Sequence, residues 1–151
     1  MKRIILLLAF VIMLTACTAE AEIAKPDFSV NSDISIKYGD CEYAVRVSSE
    51  GTDRMKFEIS EPENLKGICL EYGKNGAEIS CGDLHFESEK GYYIFTKLYE
   101  TLNAAESTEP VSKRTSGERN IFGYNGFSIE TDVSTNRIKK VVTSDCVYEM
   151  R

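Results

Sequence analysis

The chain has 151 residues, enough for one domain, with 42% hydrophobic and 28% charged residues in an ordinary globular proportion. Its net charge is −6, or −8 once Lys2 and Arg3 are set aside. That excess of negative charge argues against nucleic acid and anionic lipid headgroups as non-specific partners, because both would be repelled.

The first sixteen residues read as a signal peptide. Lys2 and Arg3 supply a positive start, and Ile4 to Leu14 (IILLLAFVIML) is an unbroken run of 11 apolar residues. Such a run suits the core of a signal peptide and is too short to span a bilayer, which needs roughly 17–25 residues. An uncleaved N-terminal anchor is the alternative reading. No second apolar run long enough to span follows. Residues 17–27 (CTAEAEIAKPD) are short, acidic and without hydrophobic period, and read as a tether, with a domain from Phe28 to the end.

That domain is mostly period-two sequence. Ile34, Ile36 and Tyr38 alternate with polar residues in 31–38, as do Cys41, Tyr43, Val45 and Val47 in 41–48, and Met55, Phe57 and Ile59 in 54–60. Each pattern predicts a strand with one buried and one wet face, and the short turns between them predict an antiparallel meander. A polar connection, Glu61 to Gly67, leads to strands at 68–72 and 77–81. Asn75-Gly76 is a hairpin signal that would pair Lys74 with Ala77, Tyr72 with Ile79 and Leu70 with Cys81, leaving Cys69 and Cys81 on opposite faces. From Tyr92 to Ala105 the period becomes helical, with Ile94, Phe95, Leu98, Tyr99, Leu102 and Ala105 on one stripe. Residues 106–120 read as a long polar loop. Strands are predicted again at 121–123, 127–132, 137–143 and 146–150. The class is mainly β (α+β), a curved antiparallel sheet or half-barrel with one packed amphipathic helix.

The chemistry-bearing residues are few. Besides Cys17 there are Cys41, Cys69, Cys81 and Cys146, without a C-x-x-C. By phase Cys41, Cys81 and Cys146 point inward and Cys69 outward. Free thiols and disulfides are both open, with Cys41–Cys146 the pair that phase permits. His85 is the single histidine and reads as a sheet-surface residue. No metal-ligand spacing and no G-x-S-x-G elbow occur. Glu58, Glu61, Glu63, Glu71 and Glu78 are scattered. A glycosidase pair needs only two of them to be neighbours in space, and surface solvation is the simpler reading. No catalytic residue, cofactor or metal is expected. Tyr43, Val45, Phe57, Ile59, Leu70, Ile79, Phe95 and Leu98 either line an apolar ligand groove beneath the helix or fill a closed core.

Two segments carry a family resemblance. Leu14-Thr15-Ala16-Cys17 resembles the bacterial lipobox, which implies a diacylglyceryl thioether and palmitate on Cys17 and cleavage before it. The stretch YGDCEYAVRVSSEGTDRMKFEISEPENLKGICLEYGKNGAEISCGDLHF is similar to small Gram-positive lipoproteins with the fold of the outer-membrane lipoprotein carriers LolA and LolB. Its pieces are the Glu-Pro-x-x-Leu-x-Gly connection at 61–67, the hairpin at 68–81, the helix at 92–105 and the last strands at 120–150. The resemblance implies a curved sheet holding a helix, membrane attachment on the extracytoplasmic face, and non-catalytic binding of an apolar or acyl ligand or a lipoprotein. The alternative it implies is a protein-interaction role, with a cell-wall or spore-cortex enzyme as partner. Cys17→Ser is expected to abolish incorporation of labelled palmitate and leave the precursor uncleaved, read by metabolic labelling and gel mobility.

Overall fold

The computed structural model describes residues 23–49, 51–89 and 91–151. The signal segment, Cys17 and the start of the tether lie outside the described residues. Within them the strands are β1 (Asn31–Tyr38), β2 (Cys41–Ser49), β3 (Met55–Glu61), β4 (Cys69–Gly73), β5 (Gly76–Cys81) and β6 (Leu84–Ser88). The helix α1 (Tyr93–Ser107) follows, then β7 (Ser112–Ser116), β8 (Arg119–Tyr124), β9 (Phe127–Asp132), β10 (Ile138–Thr143) and β11 (Cys146–Met150).

All eleven strands join one curled, unclosed antiparallel sheet in the order β6-β5-β4-β3-β2-β1-β11-β10-β9-β8-β7. The chain starts in the middle and meanders outward to β6. It then crosses the concave face through α1 to the far edge and meanders back until β11 pairs with β1, Ile36 opposite Tyr148. The helix is both the crossover and the filling. Its stripe of Ile94, Phe95, Leu98, Leu102 and Ala105 is buried, with Thr101. Against it stand Ile34, Ile36, Val45, Val47, Phe57, Leu70, Phe122, Ile129, Val141 and Tyr148, each at most 2% exposed. Burying such side chains is worth roughly 1.5–3 kcal/mol apiece, so this contact dominates the stability of the domain.

Two buried phenols tie the helix to the sheet. Tyr148 of β11 donates a hydrogen bond to the Ile94 carbonyl at 2.7 Å, and burial pushes its phenol up from the ordinary range. Tyr92, the residue before the helix, has no side-chain cap of its own. Instead the Tyr72 hydroxyl accepts its N–H at 2.8 Å and lies 3.1 Å from its carbonyl. A tyrosine from the sheet thus satisfies a helix end that the local sequence leaves open. Gly91 makes the approach feasible: with φ +57°, a Cβ there would lie 2.5 Å from the Tyr72 hydroxyl.

Several sequence expectations are corrected. The segment 106–120 is not one loop: the helix runs to Ser107, β7 occupies Ser112–Ser116 and β8 begins at Arg119. Strand β6 was not expected either. Both new strands close two-residue turns led by glycine, Gly82-Asp83 at φ +58° and Gly117-Glu118 at φ +61°, a hairpin geometry that glycine adopts without steric cost. The 68–81 hairpin forms with a register slipped by two residues, pairing Gly73 with Gly76, Tyr72 with Ala77 and Leu70 with Ile79. A slip of two keeps every side chain on its face. The neighbouring strands choose between such registers, and here they align Phe57, Leu70, Ile79 and Phe86 in one row.

At the N-terminal side the chain is already docked before Phe28. Ile23 and Phe28 pack against the core, Lys25 pairs with Glu109, and the Asp27 N–H donates to the Asn136 carbonyl at 2.9 Å. Among the described residues no helix is long and apolar enough to cross a membrane. Leu98→Ala is expected to cost about 2–5 kcal/mol by chemical denaturation. Tyr148→Phe should cost about 1 kcal/mol, because the Ile94 carbonyl keeps its helical partner.

Candidate functional site

The groove residues expected from the sequence divide into two groups. Val45, Phe57, Ile59, Leu70, Phe95 and Leu98 are sealed beneath the helix, none more than 4% exposed, and the Phe57 and Phe95 ring centroids lie 5.1 Å apart. Tyr43 and Ile79 are half-buried at the margin of that core. The apolar cavity beside the helix, between Phe28, Ala105, Phe122 and Tyr124, holds about 10 Å³, less than one water molecule occupies. Where the acyl chain of the groove reading would lie, there is filled core.

The apolar face nonetheless continues past the edge of the helix. Ile79 is opposite Phe86, and Cys81 is opposite Leu84. Phe86 is 58% exposed and Leu84 61% exposed. These two residues, missed in the sequence reading, form with Ile79 and Cys81 an uncovered apolar shelf on β5 and β6. The signal was present in the sequence, since Leu84-His85-Phe86-Glu87 alternates directly after Gly82-Asp83. At the opposite end of the sheet the same face turns polar: Lys113 stands opposite Phe122 and Thr115 opposite Asn120. The chain therefore ends its apolar face with polar residues at one margin and keeps it greasy at the other.

Two cysteines stand at uncovered strand ends, Cys81 on the shelf and Cys41 at the start of β2. Cys41 and Cys81 have the inward phase expected of them, yet both are exposed, because they stand at strand ends that the helix does not cover. Cys146 is buried and Cys69 half-buried, and all four are free thiols. The Cys41–Cys146 pair permitted by phase does not form. Each of these residues is the register partner of Tyr38, one from either side, so a whole strand separates them. That is two strand spacings, about 9–10 Å, beyond the reach of a disulfide.

At the helix start four tyrosines gather. The Tyr38 and Tyr93 ring centroids are 5.9 Å apart, and Tyr43 and Tyr92 both pack on Phe95, at 6.5 and 6.2 Å. Desolvation, followed by the neighbouring Cys41, raises the Tyr43 phenol. Tyr93 donates to the Asp145 carboxylate at 2.5 Å. This bond pushes the Tyr93 phenol up to about 12 and holds the Asp145 carboxyl below its usual range.

The acidic residues lie on the outer face. Glu71 stands opposite Glu78, and Glu78 opposite Glu87. They border an open, charged depression of about 930 Å³ together with Asp53, Arg54 and Lys74. Arg54 binds Glu71 at 2.7 Å and Lys74 binds Asp53 at 3.0 Å, so cations already engage this surface. His85 Nδ1 is 3.5 Å from Glu78. Among the described residues no three His, Cys, Asp or Glu side chains converge as metal ligands.

No family model and no curated protein matches this chain. Among solved structures it is similar to the LolA superfamily protein NE2245 from Nitrosomonas europaea, with 10% identity, 84% of each chain covered and a TM-score of 0.41.

The Tyr93–Asp145 link makes a pH prediction with two limbs. A lowered carboxyl stabilises the fold above the ordinary carboxylate range, and that contribution is lost as pH falls through its folded value. A raised phenol stabilises below the ordinary phenol range, and its contribution is lost as pH climbs through about 12. In an alkaline titration of tyrosinate absorbance, Tyr93 is expected among the late-ionising phenols of the wild type, and Asp145→Asn should move one of them to lower pH while leaving buried Tyr148 late.

Proposed function

We propose that this chain is an extracytoplasmic binding module without a reaction of its own, held to the membrane through lipid on Cys17, and that it docks the apolar surface of another cell-envelope protein on the β5–β6 shelf. The observation that carries this reading is the pair Leu84 and Phe86, each more than half exposed on a face that is buried everywhere beneath the helix. Exposed large apolar groups cost free energy in water, and their clustering on one edge marks contact surfaces. A cell-wall or spore-cortex enzyme is the partner that the lipoprotein resemblance implies.

The second reading, an apolar or acyl ligand such as the lipid of a lipoprotein, is favoured by Tyr43 and Ile79. Both groove residues stay partly accessible, Ile79 on the shelf itself and Tyr43 beside Phe95 at the helix start. With the core beneath the helix filled, an acyl chain would lie along the shelf instead of inside the sheet.

The test compares the full chain with its Leu84→Ser/Phe86→Ser variant, both made with the signal peptide and recovered from membranes after chemical cross-linking. The wild type should carry an adduct with a second envelope protein. The variant should lose it while keeping its thermal midpoint, since both side chains are largely exposed. Fatty acid or phospholipid extracted from the wild type and absent from the variant would establish the acyl reading instead. Recovery of neither would overturn both.

A further inference from the structure

We infer that β6 is a homodimer edge: two copies of the chain pair β6 with β6 in antiparallel fashion about a two-fold axis through Phe86. This inference goes beyond the binding role above.

The sheet is open, so among the described residues β6 and β7 each present an unpaired strand edge. Exposed edges are templates for strand addition unless charge or proline guards them. Strand β6 (Leu-His-Phe-Glu-Ser) carries one charge, Glu87, and neither lysine nor proline, and its Phe86 is exposed. Strand β7 carries Lys113 and Arg114.

The bonding phase of β6 is set by its turn. Cys81 and Leu84 flank the two-residue loop Gly82-Asp83 and form its closing hydrogen-bonded pair. The backbone groups of Leu84, Phe86 and Ser88 therefore face β5, and those of His85 and Glu87 face outward. A second strand must bond through His85 and Glu87, which leaves three central registers for a symmetric pair. One sets His85 against its own copy, and another sets Glu87 against its own copy. Only the register centred on Phe86 places His85 opposite the second copy's Glu87, twice, with Phe86 facing its copy across the axis. That register brings opposite polarity together on the outer face and an aromatic pair on the apolar face, both favourable cross-strand combinations. It supplies four backbone hydrogen bonds and extends the row Phe57, Leu70, Ile79, Phe86 across the axis. The same construction at β7 would centre on Arg114 and press two guanidinium groups together, which guards that edge. The β6 pairing is isologous and closes at two copies.

Cross-strand residues at a non-hydrogen-bonded position lie about 4.5 Å apart at Cα, within the range a disulfide bridges. The test uses the full chain in membranes of the producing cells, with Cys41, Cys69 and Cys81 replaced by Ser. The Phe86→Cys variant, mildly oxidised, should run as a covalent dimer on a non-reducing gel, and a Thr115→Cys control on β7 should not. Adding Glu87→Lys to Phe86→Cys should suppress the dimer, and adding His85→Glu as well should restore it. Dimer no greater than in the Thr115→Cys control would overturn the inference, as would indifference to the charge reversals, an adduct containing a different protein, or a ladder of higher oligomers.

Discussion

Among the described residues eleven strands form one sheet, and one fifteen-residue helix has to bury its apolar face. A helix of that length is about 22 Å long and about 10 Å wide, while eleven strands laid side by side span about 50 Å. A flat sheet would leave most of its apolar face wet. Curling the sheet around the rod brings strands from β2 to β4 on one side, and β8 to β11 on the other, into contact with the same few side chains. The position of the helix is thus the constraint from which the curvature, the core and the remaining exposure all follow. The two phenols, Tyr72 at the helix start and Tyr148 on the Ile94 carbonyl, hold the rod in place at its N-terminal end.

What the rod cannot reach stays exposed on the concave face. At the β7 margin the uncovered face is made of Lys113 and Thr115, which water solvates readily. At the β6 margin it is made of Leu84 and Phe86, which water does not. The same geometric shortfall therefore has different chemical consequences at the two edges. The hollow of the sheet is filled by Phe57, Phe95, Leu98 and their neighbours, and the exposed aliphatic and phenyl groups of the concave face lie at the β5–β6 margin.

Much of the fold was legible in the residues. The alternation at 31–38, 127–132 and 146–150 marked β1, β9 and β11 to the residue, and the 3.6-residue stripe marked the helix. The candidate site was legible only in part. Inward phase was read correctly for Val45, Phe57, Leu70 and Ile79, but phase says which side of a strand a residue occupies and nothing about whether that side is covered. For this reason Cys41 and Cys81 were expected to be buried and are exposed. Strand β7, SKRTS, carries no hydrophobic alternation at all and exists because β8 offers it hydrogen bonds.

The sequence by itself determined the local periods of most strands and the helix at 93–107, because each of these depends on neighbours a few residues apart. The tertiary structure decided the register of the 68–81 hairpin, the pairing of β1 with β11, the separation of Cys41 from Cys146 by an intervening strand, and which apolar residues stay wet. These depend on contacts between segments far apart in the chain, where a two-residue slip preserves every local pattern and only the packing of neighbouring strands and the helix distinguishes one arrangement from another.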